Sequence, residues 1–460
     1  MYDKDNLKSA LSRWGILLLI SFIIAANYYF YDALSSIKSI MQKELGISNT
    51  EYGLIVSFYS FPNTFLLMAI LGGIILDKWG IRFTGFLFIF FTAVGSFLTA
   101  YGASNLYQHG LGYSLMSSFL KDYSPELKMM ILGRLFFGLG AETSIVVLNK
   151  IIVKWFKGKE LAFAFAVNLA IARIGTALAL ILSPVFIGKQ VDGNFPQWTN
   201  AIWLASILVI SSFIAFIIYS VYDKKFDKKN KISLITDEEK FHLSDILSLL
   251  KNRSFIYITL LCVTFYAAVF PFLAYAPDLL FNKFNINPKI SGTITSILPF
   301  GTILFTPLFG WIVDKRGKTA TLMIYGSLIL IFVHLLLSLT YLPPYIPMFL
   351  LGIAFSLVPA AMWPGVAAIV EEKKIGTAYG IMFSIQNLGM FLFPIIAGKI
   401  LDITPKIINR YNGSEVLNYK YAILVFAGLG ILGLIFAFLL KIEDRKHNNR
   451  LENLTIAAAS

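Results

Sequence analysis

The sequence has very few of the residues that carry most redox, metal and catalytic chemistry. Its 460 residues include one cysteine, Cys262, and only four histidines, which are scattered along the chain. A single cysteine excludes an internal disulfide, and these counts make a metal cluster implausible. No Walker loop occurs, so we expect neither ATP-driven chemistry nor a bound cofactor. Paired acids, or a nucleophile and base at workable spacing, are also missing, which argues against an enzyme.

Charge is scarce as well. Charged residues make up 14% of the chain, whereas soluble globular proteins carry about 25%. Hydrophobic residues make up 57%, and apolar runs of 18 or more residues are typical of membrane spans. The net charge of +13 would indicate nucleic-acid binding only if the basic residues shared one solvated face, and here they lie in loops. The sequence therefore predicts a polytopic protein whose partner is the lipid bilayer, not nucleic acid.

Twelve apolar segments are long enough to cross a bilayer. The polar stretch 222–253 separates six of them from the other six. We therefore predict an all-α membrane protein with an N-terminal six-helix bundle over 1–221, a cytoplasmic linker over 222–253, and a C-terminal six-helix bundle with a short cytoplasmic tail over 254–460. The predicted spans are 14–38, 51–76, 83–103, 130–152, 161–187, 199–221, 254–281, 291–313, 319–341, 346–369, 376–402 and 419–440.

The distribution of lysine and arginine predicts the orientation, because cytoplasmic loops are enriched in these residues. With a cytoplasmic N-terminus, the seven inner segments hold 25 of the 39 positive charges, and the outer side holds ten. Both termini are therefore predicted to be cytoplasmic.

Two loops half a chain apart repeat one pattern. The chain reads LGGIILDKWGIR from Leu71, after the second span, and LFGWIVDKRGKT from Leu308, after the eighth. A small residue lets two helices approach, and an acid near a helix end can pair with a base. We expect these loops to stabilise one conformation of a helix bundle. The predicted gating residues are Gly73, Asp77 and Lys78 in the first loop, and Gly310, Asp314 and Lys315 in the second.

Glu142 and Arg173 lie inside neighbouring apolar spans, on either side of the basic turn WFKGKEL that begins at Trp155. At ~1.5 Å per residue both are roughly 22 to 25 Å from that turn, near the predicted midplane. Ionisable residues at this depth usually mark a transport pathway or a binding site. The pair is either a permanent salt bridge or two separate groups that receive a zwitterion. We favour the second, because a buried pair gains little by itself.

The duplicated loop resembles the hallmark Gly-x-x-x-Asp-(Lys/Arg)-x-Gly of the major facilitator superfamily. This resemblance covers all twelve spans. It implies two six-helix bundles around a central cavity that opens alternately to each side of the membrane.

Further pieces resemble the lysosomal dipeptide uniporter branch of that superfamily. The resemblance implies that Glu142 and Arg173 hold the two charged ends of a dipeptide. The pieces are ordered along the whole chain: YSFPN from Tyr59, WFKGKEL from Trp155, ARIG from Ala172, AVFPF from Ala268, and WPGVAAIVEEKKIGTAYGIMFSIQNLG from Trp363.

Two more charged residues are candidates for coupling. Asp32, in the outer half of the first span, either carries a coupling proton or makes a hydrogen-bonded link to the seventh or eighth span. Arg134, near the outer end of the fourth span, resembles an arginine of many proton-coupled members. Its alternative is a structural contact with a neighbouring helix or headgroup.

Several uncharged polar side chains are candidate substrate contacts. Aromatic residues with polar tips, and amides, can bind a peptide backbone without selecting its side chains. Helix packing is the alternative for each. These candidates are Tyr59 and Asn63 on the second span, Tyr266 on the seventh, Trp363 on the tenth, and Gln386 and Asn387 on the eleventh.

The function favoured by the sequence is transport of dipeptides by alternating access, as uniport. A proton-coupled carrier of organic anions or amino acids is the alternative, and a non-transporting receptor is a third. The N-terminus shows no acidic dileucine signal, which favours the plasma membrane or a bacterial inner membrane over the lysosome. The sequence does not indicate whether an accessory membrane subunit exists.

Overall fold

The computed structural model describes residues 4–156, 160–187, 198–230 and 243–453. These residues are almost entirely helical, with one two-residue antiparallel ladder, β1 (Ile407–Ile408) with β2 (Glu415–Val416). The α-helices are α1 Lys4–Asp32, α2 Lys38–Leu45, α3 Asn49–Ser57, α4 Phe61–Phe65, α5 Met68–Ala103, α6 Asn105–Gln108, α7 Tyr113–Ser118, α8 Pro125–Phe156, α9 Leu161–Leu182, α10 Thr199–Asn230, α11 Leu243–Lys251, α12 Arg253–Phe284, α13 Pro288–Thr295, α14 Ile297–Arg316, α15 Thr319–Leu339, α16 Tyr345–Ile369, α17 Ile375–Ile403 and α18 Lys420–Lys446. Short 3₁₀ turns cover Ser35–Ile37 and Glu372–Lys374.

Eleven helical stretches among the described residues are long and apolar enough to span a membrane. The difference from the twelve predicted spans arises at the second one. The chain of the predicted span 51–76 forms α3, α4 and the start of α5, and α5 then continues through Gly80 into the third predicted span. Gly80 has φ 73°, a backbone conformation that other residues rarely adopt, so the helical geometry is interrupted at this position. The all-α membrane fold predicted from the sequence is confirmed.

The boundary predicted after residue 221 falls inside a helix. Helix α10 continues to Asn230, and its extension is held by ion pairs to the other N-terminal helices. Lys154 Nζ lies 2.7 Å from Asp223 Oδ1, and an Arg82 guanidinium nitrogen lies 2.8 Å from Asp227 Oδ2. These charges explain why a polar sequence remains helical past the apolar span. The rest of the predicted linker includes residues 231–242, which lie outside the described chain.

Glycines allow α5 and α8 to pack closely. A Cβ added at Gly133 would lie 2.5 Å from the backbone nitrogen of Thr99, and one added at Gly102 would lie 2.8 Å from Cβ of Met129. Small residues at such contacts let helix backbones approach within a membrane, where van der Waals packing drives association. These glycines therefore allow α8, which carries Glu142, to pack directly against α5.

Both ends of the described chain lie at one end of the bundle, which we call the terminal end. Arg13 pairs with Glu160, in the turn before α9, at 3.4 Å. The backbone N–H of Lys318, which precedes α15, donates to the carbonyl of Glu452 at 3.0 Å. Helices α1 and α12 run from this end to the opposite one, which we call the far end.

The two halves are joined at the far end by a buried polar network. Lys38 Nζ donates to Asp278 Oδ2 at 2.8 Å and to Asn49 Oδ1 at 2.7 Å. The amide groups of Asn49 donate in turn to Asp402 Oδ1, from the backbone at 2.9 Å and from the side chain at 2.8 Å. The Tyr419 hydroxyl also donates to Asp278. Because these contacts cross between the halves, the far end is closed in this conformation.

Candidate functional site

A cavity of about 230 Å³ lies between the two halves. By the same measure a single water needs ~10–15 Å³, so the space can hold a small molecule. The N-terminal half contributes residues of α1, α5, α8 and the turn between α3 and α4, and the C-terminal half contributes residues of α12 and α17. The lining includes Asn27, Tyr28, Tyr59, Glu142, Phe270, Phe383, Gln386 and Asn387.

Glu142 lies on the wall of this cavity. Its Oε1 accepts a hydrogen bond from the Tyr59 hydroxyl at 2.9 Å. Phe137 and Ala141, from the preceding turn of α8, make the adjacent wall apolar. A carboxylate in such surroundings has one bonded oxygen and strong capacity to accept further donors from a ligand.

Arg173, on α9, lies behind two aromatic walls of the cavity. Its guanidinium carbon is 4.8 Å from the ring centre of Phe355, 5.5 Å from that of Tyr28 and 5.9 Å from that of Phe270. No carboxylate oxygen lies within 4.0 Å of this guanidinium in the described part of the chain. An arginine stacked on aromatic faces keeps its in-plane N–H donors, which match a carboxylate in two-point geometry. Glu142 and Arg173 therefore do not form an ion pair in this conformation.

The structure divides the uncharged candidates into two groups. Tyr59, Gln386 and Asn387 line the cavity. Gln386 accepts from the Cys262 thiol at 3.4 Å, and Asn387 Nδ2 donates to the carbonyl of Phe383 at 2.9 Å. These three side chains are placed where they can contact a ligand.

The other three candidates lie behind the cavity wall and support it. Asn63 Oδ1 accepts from the backbone N–H of Ala69 at 2.8 Å, across the break between α4 and α5. Tyr266 stacks on Phe270, with ring centres 5.8 Å apart, and Trp363 stacks on Phe383 at 4.8 Å. Their direct contact with substrate stays a prediction, whereas their packing against lining residues is observed.

Arg134 is bound to the end of the first helix. Its guanidinium donates to the carbonyls of Phe30 at 3.5 Å and Tyr31 at 3.3 Å, and it lies 4.9 Å from the ring centre of Phe30. Since α1 ends at Asp32, these carbonyls are among the last four, which have no partner inside the helix. A cation at this end is also favoured by the helix dipole. The contact with a neighbouring helix, which was the structural alternative for Arg134, is therefore observed: Arg134 caps the C-terminal end of α1.

Asp32 itself is 2% exposed, and its carboxyl faces the hydroxyl of Thr176 on α9. The carboxyl lies within electrostatic reach of Arg173 and Arg134. Within the described residues, no hydrogen bond joins its side chain to α12, α13 or α14, so the predicted link to the seventh or eighth span is absent from this conformation. Its role in coupling stays a prediction.

The duplicated loops share one backbone feature. Gly80 and Gly317, which occupy matching positions, have φ 73° and 61°. Their charges differ: Asp77 pairs with Lys150 at 2.5 Å, while Asp314 is exposed and has no ion pair in the described chain.

The small residues of these loops make no close contact here. A Cβ added at Gly73 or Gly310 would have open space around it, contrary to the close approach predicted for them. The close contact belongs instead to Gly72, which faces Thr143 of α8. Lys78 is exposed, and Lys315 Nζ lies 4.5 Å from the ring centre of Trp311. Gating by these residues stays a prediction.

Sequence reasoning missed several residues of this region. Asn27 and Tyr28 line the cavity beside Glu142, and Phe270 separates it from Arg173. Lys38, the last residue of the predicted span 14–38, is not among the candidates that the sequence suggests. The signal available for it was a lysine within an apolar run, but its partner Asp278 lies 240 positions away.

Comparison with known proteins agrees with the fold. The profile of the Major Facilitator Superfamily matches residues 17–394 and 272–456. The lysosomal dipeptide transporter MFSD1 of Mus musculus is 32% identical over 399 residues, which cover 85% of this chain and 80% of that protein. The same transporter of Homo sapiens is 31% identical over the same shares of both chains. The crystal structure of the nucleoside transporter NupG aligns with a TM-score of 0.63 at 16% identity, covering 92% of this chain and 98% of that one, and it shows the fold alone. This integral, multi-pass chain therefore belongs to the major facilitator superfamily, a family of membrane transporters and not of enzymes.

Proposed function

We propose that this protein moves dipeptides across a membrane by alternating access, without a coupled ion. The observation that carries the proposal is the separation of Glu142 from Arg173. The acid lines the central cavity, and the base stands behind Tyr28 and Phe270 without a carboxylate partner in the described chain. A permanent salt bridge would have left neither group free for a ligand. The similarity to dipeptide transporters of the lysosome supports the same substrate class.

Each end of a dipeptide has a suitable partner in this arrangement. The ammonium group bonds to Glu142, whose carboxylate is oriented by the Tyr59 hydroxyl. The carboxylate bonds to the fork of Arg173, because guanidinium groups bind carboxylates through two parallel N–H donors. This contact requires the rings of Tyr28 and Phe270, which lie between Arg173 and the cavity, to turn aside. The termini of an extended dipeptide lie roughly 5 to 7 Å apart, whereas those of a single amino acid are much closer. For peptides to be favoured over amino acids, the proposal requires the spacing of Glu142 and Arg173 to match the longer of these two distances.

The position of the cavity between the halves explains how binding leads to movement. In this conformation the far end is closed by the network around Lys38 and Asp278. Release on that side requires the network to separate while the terminal end closes. A ligand that contacts both halves can shift this equilibrium, since it binds the conformations with different affinity.

One observation favours a proton-coupled alternative. Asp32 is buried near both Arg134 and Arg173, beside the hydroxyl of Thr176. In that scheme Asp32 or Glu142 exchanges a proton, and Arg173 binds an organic anion or amino acid. Uptake that collapses with the pH gradient, and competition by monocarboxylates but not by dipeptides, would identify this carrier. Binding to proteoliposomes without flux would instead indicate a receptor.

The orientation that we propose has both termini in the cytoplasm, as the count of basic residues in the loops supports. The terminal end is then the cytoplasmic one, and the far end faces the outside or the lumen. We propose the plasma membrane or a bacterial inner membrane as the location, although the related MFSD1 proteins are lysosomal by name. The proposed partners are the dipeptide and the lipid bilayer.

The test compares dipeptides with a free or an acetylated amino end, using purified protein in liposomes. Glu142→Gln is expected to reduce uptake of the free peptides strongly and that of acetylated ones less, because only the ammonium needs the carboxylate. Glu371→Gln removes a carboxylate from an exposed loop and is the matched control. Equal loss for both peptide types in Glu142→Gln would contradict the binding role of Glu142.

A further inference from the structure

Two asparagine side chains on the cavity wall each contain an oxygen without a hydrogen-bond partner. They are Oδ1 of Asn27, on α1, and Oδ1 of Asn387, on α17, and no described residue donates to either. The two residues are 4% and 2% exposed. A buried acceptor without a donor is unfavourable. Both oxygens are themselves buried, so each gains a donor from the cavity only when its amide turns toward a ligand.

The nitrogen of each amide makes one hydrogen bond that the protein can give up at little cost. Asn27 Nδ2 donates to Ser144 Oγ at 3.3 Å, which is long for a hydrogen bond. Asn387 Nδ2 donates to the carbonyl of Phe383, one turn earlier in its own helix, where the carbonyl also serves the helical ladder. The terminal torsion of an asparagine has a broad minimum, so either amide can turn toward a ligand while the backbone stays in place.

Gln386 provides a contrast on the same wall. Its oxygen accepts from the Cys262 thiol at 3.4 Å, and its nitrogen lies 3.7 Å from the sulfur of Met390. Both ends of this amide are therefore occupied. The unpartnered oxygens belong to one residue from each half of the protein, Asn27 from the N-terminal half and Asn387 from the C-terminal half.

We propose that Asn27 and Asn387 are paired acceptors that bind N–H groups of the substrate, one the peptide nitrogen and the other the ammonium. This inference rests on the dipeptide function proposed above and adds a reason why the site selects peptides over monocarboxylates. A dipeptide offers one peptide N–H and three ammonium donors, whereas a monocarboxylate offers none. Since the two acceptors come from different halves, one substrate joins both halves through its backbone, independent of its side chains.

The experiment uses alanyl-alanine and its analogue methylated at the peptide nitrogen, which lacks that donor. Their dissociation constants are measured on the purified full chain for the wild type, Asn27→Leu, Asn387→Leu and the double variant. Leucine has the same branched skeleton of four side-chain heavy atoms as asparagine, although it is larger, and it accepts no hydrogen bond. The wild type is expected to bind the unmethylated peptide roughly tenfold more tightly, because a site that bonds an N–H rejects the analogue without it.

One single variant is expected to bind the two peptides equally, which identifies the acceptor of the peptide nitrogen. The other is expected to lose affinity for both peptides by a similar factor while it keeps the preference for the unmethylated one. Asn168→Leu is the control, because Asn168 is a buried amide that accepts from Ser21 at 2.9 Å away from the cavity. Serine variants, which keep a shorter acceptor, replace any leucine variant that fails to fold.

The outcomes separate this inference from the function on which it rests. If the wild type binds neither dipeptide, the proposed function fails and the acceptor pair fails with it. If the wild type binds dipeptides and all variants keep both its affinity and its preference, as Asn168→Leu does, only the acceptor pair is overturned.

Discussion

Lys38 and Asp278 form an ion pair that the protein encloses completely. Nζ and Oδ2 are 2.8 Å apart, and the two side chains are 0% and 2% exposed. The rings of Tyr52 and Tyr275 lie 5.5 Å from the ammonium. The pair joins α2 of the N-terminal half to α12 of the C-terminal half. Its charges therefore become hydrated only when the far end opens.

The first prediction concerns Lys38→Met. Removal of one partner from a buried pair leaves an uncompensated charge and costs about 3–5 kcal/mol, whereas apolar replacement of both is often neutral. The single change is expected to favour the open far end, and the double variant Lys38→Met/Asp278→Leu to restore closure.

Cysteine labelling measures this change, because the only native cysteine, Cys262, is buried. A cysteine at Ser36, which is 5% exposed and whose Oγ lies 3.0 Å from a Cβ built on Gly292 of the opposite half, reports opening. Its reaction with a maleimide is expected to accelerate in Lys38→Met only. An unchanged rate in that variant would show that the pair does not control the far end.

The second prediction concerns Tyr59→Phe. The change removes the hydroxyl that donates to Glu142 at 2.9 Å, and a hydrogen bond to a charged group contributes about 1.5–3 kcal/mol. The apparent affinity for dipeptides is expected to fall about tenfold or more, with the maximal rate less affected. Tyr31→Phe, on the same wall, serves for comparison and is expected to have the smaller effect. Similar losses in both variants would argue against orientation of Glu142 by Tyr59.

The third prediction concerns Arg173→Lys, which keeps the charge but not the two-point donor geometry. Uptake of free dipeptides is expected to fall at least tenfold. Competition by dipeptides with an amidated carboxyl end, which cannot use the fork, is expected to change little. If amidated and free peptides lose competition equally, Arg173 supports the fold and does not bind the carboxylate.

The fourth prediction concerns Arg134→Ala. It leaves the carbonyls of Phe30 and Tyr31 without their donor, and a buried unsatisfied group costs about 1–3 kcal/mol. A lower unfolding temperature is expected in the absence of substrate. Arg134→Lys, which can reach one carbonyl, is expected to fall between the alanine variant and the wild type. Normal stability combined with loss of proton-dependent uptake would favour coupling over helix capping.

Much of the fold could be predicted because the apolar runs and the duplicated loop depend on local sequence. The cavity acid Glu142 could be predicted for the same reason, since a charge inside an apolar span has few other uses. The cavity residue Asn27 and the partner of Lys38 could not be predicted in this way. Lipid-facing and core-facing positions are both apolar, so the sequence does not show which way a polar side chain of a span points. The break at the second span was missed because Asn63, whose side chain bonds across it, looks like an ordinary polar residue of a helix.

The duplicated loops have identical acids but different partners at any one moment. Asp77 pairs with Lys150, while Asp314 makes no ion pair within the described residues. We therefore expect a substitution at Asp77 to act on the conformation seen here, and one at Asp314 to act on conformations in which that acid is paired. On this prediction, the two copies of one motif set the rates of the outward and return transitions separately, so that a mutation changes one rate at a time.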